Sequence, residues 1–177
     1  YSFRTTGNGD FQAIVVGDPQ IGASGTEGEG TKNDANIPAD TYSWSKLLDK
    51  AISVAPNASF LMSVGDQINF KAETADTKGI RESEYAGLTY PSTLRSIPFA
   101  PAIGNHESKG VDFKYHYNLP NDTSGYGKTN AGSDYYYQYG NCLFIVLNSN
   151  SRNMASHKKA MAQAVSSYPT AKWRVVM

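Results

Sequence analysis

Residues 14–22 read IVVGDPQIG. A β-branched apolar run (FQAIVVG, 11–17) breaks at Gly17, and a carboxylate, a proline and an amide follow at once. Short apolar runs bounded by turn residues read as buried strands, so this one predicts a strand that surfaces at Gly17. Two later stretches end the same way. ASFLMSVGD (58–66) runs into Gly65, Asp66, Gln67, Ile68 and Asn69, and PFAPAIGNHE (98–107) runs into Gly104, Asn105, His106 and Glu107.

Helical patterns lie between and after these strands. Leu47, Leu48, Ile52 and Val54 form a helical stripe that Pro56 stops, with Asp40 as the expected cap. Residues 22–39, rich in Gly, Thr, Asn and Asp, read as a long loop, and residues 80–96 read as helix broken at Pro91. DYYYQYG and CLFIVLN flank Gly140 and Asn141 and predict a β-hairpin; a helix over 153–167 and a strand in AKWRVVM (171–177) follow. Strands alternating with helices predict an α/β fold with no internal linker.

In α/β sheets ligands bind at the carboxyl ends of the strands. Three strands of one sheet would therefore bring Asp18, Asp66, Asn105 and His106 together. Two carboxylates and an amide are hard oxygen donors suited to divalent or trivalent metals, and a carboxylate can bridge two ions about 3.5–4 Å apart. A single Gly-Asp pair reads first as a turn. Three such pairs or their Gly-Asn equivalent, each on a strand end, read as a site.

The bulk composition narrows the partners. The 177 residues carry sixteen basic and sixteen acidic side chains, a formal net charge of zero, so nucleic acid is not an expected main partner. No apolar stretch reaches the ~20 residues of a membrane span. The lone Cys142 sits in an apolar run and reads as an inert small hydrophobe. Charged residues are 18% of the chain, against about 25% on average; with abundant Tyr, Ser, Asn and Gly this leans toward an exported or cell-surface bacterial protein.

The ordered motifs resemble those of the calcineurin-like metallophosphoesterase superfamily, closest to its bacterial purple-acid-phosphatase-like branch. YSFRT (1–5) looks like the last strand of a preceding fibronectin-like domain, and FKYHYNLPND (113–122) like the segment after the Gly-Asn-His motif. The resemblance implies a calcineurin-like α/β/β/α sandwich over residues 7–177, with residues 1–6 as the tail of a preceding domain or a linker. It implies two divalent or mixed-valence ions of iron, zinc or manganese. Asp18 would bind the first, Asp66 would bridge both, and Asn105 would bind the second. His106 would hydrogen-bond the phosphoryl group and help protonate the leaving oxygen. A metal-bound hydroxide would attack a small phosphorylated substrate, a monoester or diester.

The chain departs from the family pattern at three places. Gln20 stands where many relatives have a histidine ligand, so its role as a metal ligand stays open. Asn69 stands where purple acid phosphatases carry the tyrosine whose charge transfer to iron gives the colour, so no purple band is expected. The late histidine and the Gly-His-x-His motif do not occur before Met177; the missing ligands are expected from a further C-terminal part or another chain, and the 177 residues alone are expected to be incomplete. His116 reads as a packed or surface histidine and His157, beside Lys158 and Lys159, as part of a solvated helix face.

Other readings were weighed. GASGTEGEGTK (22–32) lacks the spacing of a phosphate-binding loop. The sequons at Asn57 and Asn121 read as chance matches, and the tyrosines of YYYQY as strand packing rather than a sugar platform. A nucleotide or nucleic-acid substrate is a narrower variant of the phosphoesterase reading. An alternative of another class is a non-catalytic binding or surface module on the same scaffold with a decayed site.

Overall fold

The computed structural model describes residues 9–24, 34–71, 73–121 and 125–177. The expectations for residues 1–6 and for most of the Gly-rich loop lie outside the described residues. In chain order the elements are β1 (Gln12–Val16), α1 (Ile37–Val54), β2 (Ala58–Ser63), α2 (Lys78–Thr89), β3 (Phe99–Pro101), α3 (Phe113–His116), β4 (Tyr135–Tyr139), β5 (Cys142–Val146), α4 (Met154–Ser167) and β6 (Trp173–Val176). The fold is α/β, as the alternation predicts.

Two three-stranded sheets form. The first is wholly parallel, in the order β1-β2-β3. The second has the order β4-β5-β6, with β4 antiparallel and β6 parallel to β5. The expected hairpin joins β4 and β5 through Gly140, whose φ of 55° a side chain would disfavour.

Alternation along the central strands explains the stacking. Phe60 and Met62 of β2 meet Cys142 and Phe144 of β5 between the sheets. From the opposite face of β2, Leu61 packs with Trp44 and Leu48 of α1 and Tyr85 and Leu88 of α2. Leu143 and Ile145 of β5 pack outward with Ala164 of α4. Both central strands are thus covered on both faces, which is why they read as unbroken apolar runs. Each fully buried large side chain here contributes roughly 1.5–3 kcal/mol.

The tyrosines of β4 follow the same rule. Tyr135, Tyr137 and Tyr139 point between the sheets, where Tyr137 stacks on Phe144 at 5.0 Å, while Tyr136 faces α4. They are packing residues. Cys142 is buried, and burial pushes its thiol pKa up, away from the reactive range.

Two details of α1 differ from expectation. The helix starts at Ile37, with Asn36 at the cap position, and Asp40 lies in its first turn. Its carboxylate instead accepts the Gly22 and Ser24 N–H groups at 2.8 and 3.1 Å, tying the loop after β1 to the helix. Leu48 is buried, but Leu47 and Val54 are exposed, so the buried stripe turns through Trp44 instead. The Trp44 indole N–H donates to the Leu88 carbonyl at 3.0 Å and locks α1 to α2.

Among the described residues β1 pairs only with β2 and β6 only with β5. These edges leave Val15, Trp173 and Val176 exposed. No helix among the described residues is long and apolar enough to cross a membrane.

Candidate functional site

Because the first sheet is parallel, all three strands deliver their following loops to one edge. Ladder bonds continue beyond the strands: Val64 N–H donates to the Val16 carbonyl, Ala102 N–H to that of Ser63, and Gln20 N–H to that of Asp66 at 3.0 Å. Ile21 and Ile68 then form a further parallel bridge. Two glycines let the second and third loops touch. A Cβ on Gly104 would sit 2.0 Å from Asp66 Oδ1, and one on Gly65, at φ +118°, would sit 2.8 Å from the Gly104 Cα.

The backbone at this edge is strained. Asp18, Gln20 and Asp66 take φ values of 46°, 40° and 50°, and the only other non-glycine residue with positive φ among the described residues is Asn121. Such a conformation costs roughly 1–2 kcal/mol per L-residue. Strained residues held in place by their surroundings cluster at functional sites. Here they coincide with three of the residues singled out from sequence.

His106 is buried, at 3% exposure, behind these loops. Its backbone N–H donates to Asp66 Oδ1 at 3.1 Å. Its Nδ1 bonds to the Asn69 carbonyl, which can only accept, so Nδ1 carries the proton and Nε2 presents a lone pair. Nε2 faces the Gln20 amide nitrogen at 3.4 Å and lies 3.9 Å from Asp66 Oδ2. The same Gln20 nitrogen donates to Asn69 Oδ1 at 3.2 Å. Gln20 therefore spends its nitrogen on His106 and Asn69 and keeps its carbonyl oxygen for another partner.

Glu107, fully buried, staples the loops from below. One carboxylate oxygen accepts the Gly104 and Asp66 N–H groups at 2.8 and 3.1 Å, and the other accepts those of Gln67 and Ile68 at 2.7 and 3.2 Å. Burial pushes its carboxyl up to about 7 despite these donors. Beneath it, Arg81 forms a buried bidentate pair with Asp112, at 2.5 and 2.6 Å, and donates to the carbonyls of Phe70, Lys71 and His106. Glu84 accepts the Phe70 N–H at 3.0 Å and is raised to about 7 by its burial.

Asp18 and Asn105 are exposed at the same strand ends. A groove of about 680 Å³ opens beside Asp18 and Gln20, floored by Trp44 and walled by Leu47 and Ala51. Among the described residues no three His, Cys, Asp or Glu side chains converge as a metal cluster. Any ion here would depend on the amide oxygens of Asn105 and Gln20 beside the two carboxylates.

The other two histidines lie elsewhere. His116 stacks on Tyr85 at 4.0 Å, with Nε2 3.2 Å from Glu82. His157 is not on a solvated face: it is 7% exposed, with Nδ1 2.7 Å from Asp134 and Nε2 2.8 Å from the Ser151 carbonyl. The neighbouring lysines do point outward, but His157 sits on the inner face of α4 one position before them. The sequon at Asn121 is engaged too, since its side chain pairs with both backbone groups of Tyr136.

Sequence reasoning assigned no positive role to Asn69, Glu107 or Asn150. Glu107 and Asn69 lie inside the strand-end motifs, a signal of place though not of role. Asn150 carried no signal. No protein-family model and no curated protein sequence matches this chain.

Proposed function

We propose that the three strand ends form part of a dinuclear metal site that hydrolyses phosphoesters, on a calcineurin-like α/β/β/α sandwich. The observation that carries this reading is the coincidence of left-handed backbone at Asp18, Gln20 and Asp66 on the ends of two neighbouring parallel strands. The stacking of helices, two sheets and helix supports the sandwich.

The donor chemistry fits a hard cation. Asp18 and Asp66 offer carboxylate oxygens, Asn105 an amide oxygen on an exposed turn, and Gln20 the oxygen its hydrogen bonds leave over. Two ions of iron, zinc or manganese held there would neutralise phosphoryl charge and acidify water. The chain's own work is positional. Glu107 fixes the spacing of the Asp66 and Gly104 turns. Asn69 orients both the His106 ring and the Gln20 amide. His106 Nε2, which faces the Gln20 amide and Asp66, is the atom that would exchange a proton with the leaving oxygen of a small phosphorylated substrate. The balanced charge favours such a substrate over a nucleic-acid strand.

Metal content by plasma mass spectrometry, after dialysis of the wild type and Asp66→Ala, tests the site. Retention by the wild type and loss in the variant is expected; equal content in both sinks the metal reading. Hydrolysis of a chromogenic phosphomonoester and diester by the metal-loaded protein then tests the reaction.

A second reading, a non-catalytic binding module, is favoured by one observation: no three His, Cys, Asp or Glu side chains converge among the described residues. Metal-free binding of a polymer or protein, unaffected by Asp18→Ala, would support it.

A further inference from the structure

Asn105, a proposed ligand, is exposed on the turn of the third loop. What holds that turn comes from three directions. The Gly104 N–H is taken by Glu107, and the His106 N–H by Asp66. The third hold crosses from the other sheet: the Asn150 side-chain nitrogen donates to the carbonyls of Ile103 at 3.0 Å and Gly104 at 3.2 Å. We infer that Asn150 is a positioning residue for Asn105, through which the loop after β5 sets where the third strand end presents its ligand. The inference rests on reading Asn105 as a metal-facing group.

The lever has a rigid base. Asn150 is bonded back to Asn148 Oδ1 from its own backbone N–H at 3.2 Å and its side chain at 3.1 Å. Asn148 in turn donates its backbone N–H to Asp134 Oδ1 at 2.8 Å, and its side chain to the Gly127 carbonyl and Thr129 Oγ1 at 3.0 and 2.9 Å. The other Asp134 oxygen holds His157, whose far nitrogen returns to the Ser151 carbonyl. Both flanks of residues 148–151 are thereby pinned, so Asn150 presents its two donors in one place. Only an amide fits. It must accept nothing from two carbonyls, and an aspartate of the same size would set negative oxygens against them.

The pinning also explains why Gly104 can carry its load. Its carbonyl accepts both Asn150 and the Ser108 N–H, the latter at 3.1 Å, while its N–H goes to Glu107. Both backbone polar groups of Gly104 are committed, and the Asn105 side chain is exposed beside them.

Amide hydrogen exchange read by NMR, with Co²⁺ titration followed by its visible band, tests this on the wild type, Asn150→Ala and Asn150→Asp. In the wild type the Asn150 side-chain protons should exchange at least about tenfold more slowly than those of exposed Asn141. In the variants the Gly104, His106 and Ser108 amides should exchange about five- to tenfold faster. Protection in β5 and α4 should hold, and Co²⁺ should bind about tenfold more weakly. Unprotected Asn150 protons in the wild type overturn the inference without any variant, as does acceleration spread evenly over the chain. A wild type that takes up no Co²⁺, while the variants free the turn, removes the metal reading and leaves the positioning role standing.

Discussion

Two aspartate–histidine pairs among the described residues are built differently. In the second sheet, His157 has both ring nitrogens bonded within the fold, Nδ1 to Asp134 and Nε2 to the Ser151 carbonyl. At the end of the first sheet, His106 bonds through Nδ1 to the Asn69 carbonyl. Its Nε2 stands 3.9 Å from Asp66 and 3.4 Å from the Gln20 amide nitrogen. Strain divides the same way: positive φ falls on Asp18, Gln20 and Asp66, and on no non-glycine residue of the His157 network. His157 is tied between a carboxylate and a backbone carbonyl of the second sheet's loops, whereas His106 Nε2 faces side chains of the strained strand ends.

The sharpest way to break that contrast is at Asp66. Asp66→Asn is expected to lower metal-dependent phosphoester turnover by at least about a hundredfold, since a charge facing the reacting group is lost. Its circular dichroism should stay that of the wild type. Turnover within a few-fold of wild type would move the chemistry elsewhere. Gly104→Ala is expected next, costing about 3 kcal/mol of stability in urea unfolding, because its Cβ would meet Asp66 Oδ1 at 2.0 Å and the Asp66 nitrogen at 2.1 Å. An unchanged midpoint would mean that the two loops are not pressed together.

Exchanging the two histidines one at a time sharpens the comparison. His157→Gln should destabilise by about 3 kcal/mol, because it leaves the Asp134 carboxylate buried and unpaired. His106→Gln should cost less, about 1–2 kcal/mol for its hydrogen bonds, while removing most turnover. Equal stability losses would erase the distinction drawn here.

The pH dependence of stability follows from three raised groups, since burial lifts Glu107 to about 7 as it does Glu84. Burial lifts the Glu84 carboxyl from its usual 4.5 to about 7, so the protonated form is favoured on folding; its contribution is complete below 4.5 and is lost as pH rises to about 7. Burial pulls the His157 value down, but the Ser151 carbonyl and Asp134 outweigh it and leave the ring raised above 6.5. That contribution is complete below 6.5 and fades as pH climbs through the raised value. Thermal unfolding should therefore show stability declining from mildly acidic toward alkaline pH, and His157→Gln should flatten the upper part of that decline. The smallest effect expected is spectroscopic. With Asn69 three residues after Asp66 and bonded to Gln20 and Gly22, the iron-loaded protein should lack a phenolate charge-transfer band.

Much of this was legible in the chain itself. The runs at 11–17, 58–66 and 98–107 announce strands, but of the three only β2 is buried almost throughout, as a strand covered on both faces requires. The first, β1, expected to be buried, is a half-exposed edge strand because among the described residues it has a partner on one side only. The glycines after them announce where the backbone turns, and Pro56 and Pro91 where helices stop. From these alone come the α/β class, the hairpin at Gly140, and Asp18, Asp66, Asn105 and His106 as one group. Asp40 and His157 were misread for one reason. Local sequence shows a residue's neighbours along the chain, and their partners, Gly22 and Asp134, lie 18 and 23 residues away.

What only the tertiary structure decided is which polar groups are left over. Glu107 lies inside the third strand-end motif, and sequence assigns it no role. Folded, it is spent on four backbone N–H groups of two loops. Gln20 reads like a substitute ligand, and folding commits its nitrogen while sparing its oxygen. Asn150 reads like any loop asparagine until β5 carries it across to Gly104. Burial patterns survive in a linear sequence because hydrophobic periodicity is local. Hydrogen-bond satisfaction does not, because a buried donor takes whichever acceptor the packing of distant segments brings within 3 Å or so.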